Sequence, residues 1–288
     1  YGDHRDLHLS LRRQRQMCIR DSPHLSGCGE NDHKCFDAYK NHFNTVIKSI
    51  HDRFNVFLEE CGESPYPAGE FFETSPYMNL LLYPKQMKFN RRNSLNPQIF
   101  QYLEGCVREE KEYEVPVFKS CNSEPLLYVS FGSLGSGDTI LLKRLMEAVK
   151  KMSIRALFNV GDYETEYGSI PDNISIASWY PQPSLISQAD IVIHHGGNNS
   201  FTECLYFGKP ALIMPYVWDG HDNAKRIDET GHGCHMHRSN WTEEELINCI
   251  NQMLNDKAMQ SRLNETSRQM QSQHGPTKAA KILNDILS

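Results

Sequence analysis

From residue 126 onward the chain alternates short apolar runs with capped helical stretches, and this rhythm constrains the fold more than any other feature. The runs at 126–131, 154–160, 174–178, 190–194 and 211–214 have the length and apolar content of buried strands. Helical patterns lie between most of them. Asp138 stands where it can cap a helix running to about Met152, and residues 222–230 continue the series. Strands alternating with helices predict a parallel, doubly wound α/β sheet, which binds ligands at the carboxyl ends of its strands. Three further helices are expected: 242–255, opened by a capping box of Thr242 and Glu245, then 258–271 and 276–287.

The earlier part reads differently. Phe36, Tyr39, Phe43, Val46, Ile47, Ile50, Phe54, Phe57 and Leu58 are spaced mostly by three or four residues, which predicts an amphipathic helix. Residues 77–83 read as a short buried strand ended by Pro84, and 85–97 are polar and turn-rich. Residues 98–119, with the charge run Arg108-Glu109-Glu110-Lys111-Glu112, read as a connector, so a domain boundary is expected near Ser120. Residues 1–22 show neither periodicity nor turn logic and look like translated adapter sequence. They are expected to be non-native and are left out of the fold. The expected organisation is therefore 1–22 non-native, 23–120 a partial N-terminal domain with its linker, and 121–288 a C-terminal domain with a helical tail.

Composition narrows the partners. The net charge is −6 and no dense Lys/Arg stripe appears, which gives no basis for nucleic-acid binding. No run of eighteen apolar residues exists, so no membrane span is expected. The nine cysteines are scattered without CxxC or zinc-like spacing, and reduced thiols in a cytoplasmic protein are the expectation. A glycosylation sequon begins at Asn198, where a glycan would cover the loop discussed next, in keeping with that location.

The chemistry concentrates between Trp179 and Asp219. The strand at 190–194 runs into His195-Gly196-Gly197, where two glycines let the backbone approach a ligand. Asn198, Asn199 and Ser200 are all suitable to cap a helix, whose N-terminal amides and dipole favour phosphate. Glu203 lies about one turn further on, placed for ribose hydroxyls. Alone, this segment would serve equally as an ordinary strand-to-helix turn. Trp179 offers a face for a pyrimidine base, though a Trp beside Pro181 is more often core packing. Asp219 follows the last strand, where a carboxylate can accept from sugar hydroxyls. Residues 132–139 nearly spell a phosphate-binding P-loop, but Asp138 stands where Lys is required. His232, His235 and His237 are expected at a partly exposed strand edge rather than around a metal.

These motifs resemble the signature of UDP-dependent glycosyltransferases, in particular the inverting, metal-independent, soluble type similar to bacterial macrolide glycosyltransferases. The likeness covers about residues 75–288 and is strongest over 125–237. It implies a GT-B architecture of two Rossmann-like domains, here a complete donor domain and part of an acceptor domain. It also implies roles. The residue matching Trp179 stacks on uracil, and that matching Gln182 helps hold the nucleoside. Those matching His195, Gly197, Asn199 and Ser200 hold the diphosphate, with Gly132 and Ser133 beside it. Glu203 binds ribose and Asp219 contacts the sugar. The family usually has Gln after that Asp, and Gly220 stands here instead, which leaves the sugar open. The family's catalytic base, a His oriented by an Asp, belongs to the acceptor domain and is assigned to no residue of this chain. The resemblance implies hexose transfer from a UDP-sugar to a hydroxyl of a small lipophilic acceptor, without a cofactor or a metal. The alternatives are a UDP-sugar-binding fragment without transfer activity and a UDP-sugar epimerase of the same fold.

Overall fold

The computed structural model describes residues 28–29, 31–71, 75–89, 94–119, 123–217 and 219–287. Residues 1–22 and Ser120, which figure in the expected organisation, lie outside them. The chain divides into two compact units, 1–103 with 275–288, and 104–274. This differs from a boundary at 120, and side-chain bonds explain why. The Tyr113 amide donates to Ser184 Oγ at 2.8 Å, Gln188 Nε2 donates to the Tyr113 carbonyl at 3.0 Å, and the Tyr113 ring meets Tyr180 edge-on at 5.6 Å. The connector from 104 is thus fastened to the second unit by contacts that no periodicity announces.

In the first unit, α1 (His33–Glu60) is capped by Asp32, whose side chain accepts from the Cys35 amide. The helix was expected from its apolar spacing, yet only His51 is buried along it, while Val46, Ile50, Val56 and Phe57 are exposed. The turn before α1 brings Cys28 and Cys35 to a Cα separation of 6.0 Å, and the two are disulfide-bonded. This corrects the expectation that all thiols are reduced. Six intervening residues match no metal or redox motif, and it is the capping turn at Asp32 that makes the bridge possible. β1 (Asn79–Leu81) pairs in parallel with β2 (Phe100–Tyr102), a strand inside the stretch read as connector.

The second unit carries the expected sheet. Its strands are β3 (Leu126–Ser130), β4 (Arg155–Asn159), β5 (Ile174–Ala177), β6 (Ile191–His194), β7 (Ala211–Ile213) and β8 (Gly233–His235). All are parallel, in the order β5-β4-β3-β6-β7-β8. Strand order reverses between β3 and β6, which is the point where such sheets open a crevice for ligand. β3 and β6 are buried along their whole length, as apolar runs covered on both faces must be. Between the strands lie α2 (Thr139–Val149), α3 (Gln182–Gln188), α4 (Asn198–Tyr206) and α5 (Asp219–Glu229). α6 (Glu243–Asn255) shows the expected capping box, with Glu245 reaching back to the Thr242 amide at 2.7 Å. α7 (Lys257–Gln271) completes this unit. α8 (Gly275–Leu287) belongs to the first unit, where Lys278 Nζ donates to the Tyr102 carbonyl at 2.7 Å. No helix among the described residues is long and apolar enough to cross a membrane.

The three histidines near β8 go to separate partners. His232 is buried against Thr266 Oγ1 at 2.9 Å, His235 Nδ1 lies 3.3 Å from Asp228, and His237 Nδ1 accepts from the Asn240 amide. Burial pushes His232 down to about 4 and His194, inside the sheet, down to about 3. Both therefore fold as neutral rings, while the unfolded chain protonates them near pH 6.5. The sign follows. Stability is fully present above about pH 6.5 and is lost as pH falls toward the folded values, by about 1.4 kcal/mol per pH unit for each proton taken up only on unfolding. Denaturant titrations between pH 7 and 5 should show this slope, and His232→Gln should make it shallower. Identical slopes in the two proteins would refute the assignment.

Candidate functional site

The crevice at the β3–β6 junction is built by two segments leaving the sheet side by side. Ser130 and His194 are register partners, so the residues after them run on together. After β3 the chain enters a single helical turn, Gly132–Gly135, within the stretch that nearly spells a P-loop; the Ser136 amide closes it on the Gly132 carbonyl at 3.0 Å. After β6, Gly196 takes a φ of +87° and its amide donates to His194 Nδ1 at 3.0 Å. Only a residue without Cβ fits there, since one would lie 2.8 Å from the Gly220 carbonyl oxygen.

His195 is clamped between two glycines. A Cβ on Gly132 would lie 3.0 Å from its Cε1, and one on Gly197 would lie 2.5 Å from its Nε2. The imidazole Nδ1 is buried without a hydrogen-bond partner among the described residues, and burial lowers the ring's pKa. His195 is thus a neutral, pre-oriented donor or acceptor at the mouth of α4. That helix begins at Asn198 with Gly197 in the capping position and no side-chain cap bond from it, so Asn198, Asn199 and Ser200 lie within the first turn rather than before it. The Asn198 amide is taken by Asp219 Oδ2 at 3.0 Å. Asn223 Nδ2 ties the same corner together, donating to the Gly196 carbonyl at 2.7 Å and to Asn198 Oδ1 at 2.8 Å.

Of the expected nucleoside residues, Gln182 and Glu203 form a second cluster with Ser200. Trp179 follows β5 and is 67% exposed, so its indole is a free platform rather than core. The core position is taken instead by Tyr180, which is buried edge-on to Tyr128. Gln182 opens α3, and its Nε2 donates to Ser200 Oγ at 3.2 Å and to Glu203 Oε2 at 2.5 Å. Glu203 is buried, and its pKa is raised by burial against the pull of Gln182 and Arg108. Hydrogen bonds and close approach thus link Gly132, His195 and Gly197 on one side, Gln182, Ser200 and Glu203 on the other, and Asp219 to the helix between. Ser133 is exposed; its carbonyl accepts from Ser136 Oγ at 3.3 Å.

Some parts of the site escaped sequence reasoning. Arg108 Nη1 reaches Glu203 Oε1 at 3.3 Å across a sequence separation of 95. Its only trace in the sequence was a charge run. Gly220 was noted only as a departure from a pattern. Its role is geometric, because a Cβ there would lie 2.6 Å from the His195 carbonyl oxygen. Asp138 both caps α2 and accepts from Tyr216 Oη at 2.9 Å, and the Arg238 guanidinium lies 4.1 Å from the centre of the Tyr216 ring.

A doubly wound parallel sheet whose switch point joins a glycine-clamped histidine, a helix N-terminus and a buried carboxylate is the architecture of a Rossmann-like α/β domain. The sequence comparisons agree with this class. Residues 143–286 match the family model of the erythromycin biosynthesis protein CIII-like C-terminal domain, and the chain belongs to this family. The NDP-glycosyltransferase YjiC of Bacillus subtilis (strain 168) is 24% identical over 237 residues, which are 81% of this chain and 59% of that protein. The chain thus spans little more than half the length of that relative. Among solved structures, the kitacinnamycin glycosyltransferase superposes with a TM-score of 0.75 at 20% identity, covering 89% of this chain and 67% of that one. The glycosyltransferase VinC, solved in complex with dTDP, superposes with a TM-score of 0.61 at 18% identity, covering 76% of this chain and 55% of that one. At these identities the likeness establishes the GT-B fold.

The Gly220 contact yields a direct test. Gly220→Ala places a methyl group against the backbone of the His195 loop, where neither side can yield by a rotamer change. A loss of about 1–3 kcal/mol in unfolding free energy is expected. An unaltered denaturation midpoint would show that the loop yields freely.

Proposed function

We propose that the second unit holds a UDP-sugar and that the protein of which this chain is part transfers its hexose to a hydroxyl of a small lipophilic acceptor. The observation that carries the reading is the convergence of His195, the N-terminus of α4 and the buried Glu203 at the switch point. An exposed Trp179 three residues before Gln182 supplies a stacking face at the same end of the sheet. That VinC was solved with a nucleoside diphosphate supports a ligand of this class.

In this reading the diphosphate sits at the first turn of α4. The helix dipole and the amides there stabilise the charge that develops on the departing UDP, and the neutral His195 adds a hydrogen bond. Trp179 stacks on the uracil, Gln182 and Glu203 receive the nucleoside, and Gly132 and Ser133 border the phosphates. Displacement at the anomeric carbon is in line and inverting, with a general base removing the acceptor's proton. No residue of this chain is assigned that base. The groups at the phosphate position are the α4 amides, glycines, the His195 imidazole and the Ser200 hydroxyl; of the nearby carboxylates, Asp219 is already bonded to the Asn198 amide and Glu203 to Gln182 and Arg108. Among the described residues no cluster of carboxylates, histidines and cysteines is arranged to hold a metal ion, which supports transfer without one.

Calorimetry with UDP on the whole chain tests the site. His195→Ala and Glu203→Ala should each weaken binding by about 1–3 kcal/mol, since each removes a polar partner from a shielded position. Undiminished affinity in both variants would end the assignment. EDTA should leave the UDP affinity unchanged, and a large loss on chelation would point to a metal-dependent donor site. Incubating UDP-glucose with phenolic acceptors and the chain extended at its N-terminus separates transfer from the alternatives. Epimerised sugar formed without any acceptor would replace the transferase reading.

A further inference from the structure

Glu203 is held from two sides. Gln182 of α3 donates to Oε2 at 2.5 Å, and Arg108 of the connector donates to Oε1 at 3.3 Å. Two donors from separate elements leave the carboxylate a single orientation. Each oxygen keeps a second lone pair for an incoming hydroxyl. We propose that Arg108 is a positioning residue of the nucleoside site, holding Glu203 in the orientation in which it accepts from the donor's ribose hydroxyls. The inference rests on the UDP-sugar reading above and adds to it a residue from outside the strand–helix units.

Three observations carry it. Arg108 is itself oriented, since its Nε donates to Glu110 Oε1 at 2.7 Å. The stretch that follows is fixed by the bonds of Tyr113 to Ser184 and Gln188. The exposures are complementary, with 54% of the Arg108 side chain open to solvent against 5% for Glu203. The arginine therefore lies at the surface while the carboxylate it holds lies beneath it.

Charge gives the arrangement its purpose. The groups that face Glu203 are Arg108 and Glu110 from the connector, Gln182 from α3, Tyr128 from β3 and its neighbour Cys204. Arg108 alone of these is cationic. Burial favours the protonated acid at Glu203, Glu110 pushes the same way, and Arg108 opposes both. Removing the arginine raises the pKa of Glu203 further, so the ionised acceptor is lost at a higher pH as the solution is acidified.

The test compares UDP with 2′,3′-dideoxyuridine 5′-diphosphate on the whole chain. The two share base and diphosphate, so the titration of the phosphate cancels in their ratio. The unmodified chain should prefer UDP. Arg108→Ala should lower UDP affinity about tenfold while leaving the dideoxy nucleotide unaffected, and the remaining preference should fade at a higher pH than in the parent. Arg108→Lys, which restores the charge without the planar fork, should return the pH profile toward that of the parent. Equal losses for both nucleotides would overturn the proposal, because Arg108 would then act on the phosphates or on folding. Unchanged affinities and pH profile in Arg108→Ala would overturn it as well. Failure of the unmodified chain to bind either nucleotide would instead refute the donor reading on which the proposal depends.

Discussion

The pairing of β3 with β6 is the contact on which the rest of this site depends. Two strands distant in sequence lie side by side and end together, Ser130 opposite His194. Parallel strands joined by right-handed crossovers place their connections on opposite faces when order reverses, and a crevice opens where they part. His195 leaves one strand and Gly132 follows the other, so the imidazole comes to rest against a residue that must lack a side chain. Had β6 paired elsewhere, neither the clamp on His195 nor the position of α4 beside the turn at Gly132 would exist.

Much of the second unit was legible because its signals are local. Apolar runs of strand length, the Asp138 cap and the capping box at Thr242 each reflect a few neighbouring residues, and each appears within a residue or two of the expected place. β8 appeared where the histidine-rich edge was expected. The first unit was less legible. β2 is three residues long, too short to show a period, and lies in the stretch read as connector. The apolar spacing of α1 correctly called a helix, but the face it defines is largely exposed. The Cys28–Cys35 bridge depends on a turn that no spacing rule describes.

The site divides along the same line. His195, Gly197, Ser200, Glu203 and Gln182 could be named from a motif because they lie on adjoining segments with a definite order. How they bond could not. Arg108 reaches Glu203 from a connector, and Gly220 matters because of a backbone contact to His195 that leaves no trace in composition. Contacts of this sort are set by tertiary approach, and a sequence records only residue types that permit them.

The bond from the Asn198 amide to Asp219 changes how binding at this helix should be understood. The positive end of α4 already faces an anion, one tethered to the same chain. An anion bound at the Asn198 amide would have to exchange with a resident carboxylate instead of meeting an uncompensated dipole. Such exchange gives little to a single phosphate or a sulfate, which offers the helix no more charge-assisted bonding than Asp219 provides and brings no other attachment. A ligand that also occupied Trp179 and Glu203 would gain at two further places what it forfeits at one. On the proposed donor-binding reading, the tethered carboxylate would act as a threshold, one that small anions of the surrounding solution fall below and a larger, many-pointed ligand can cross.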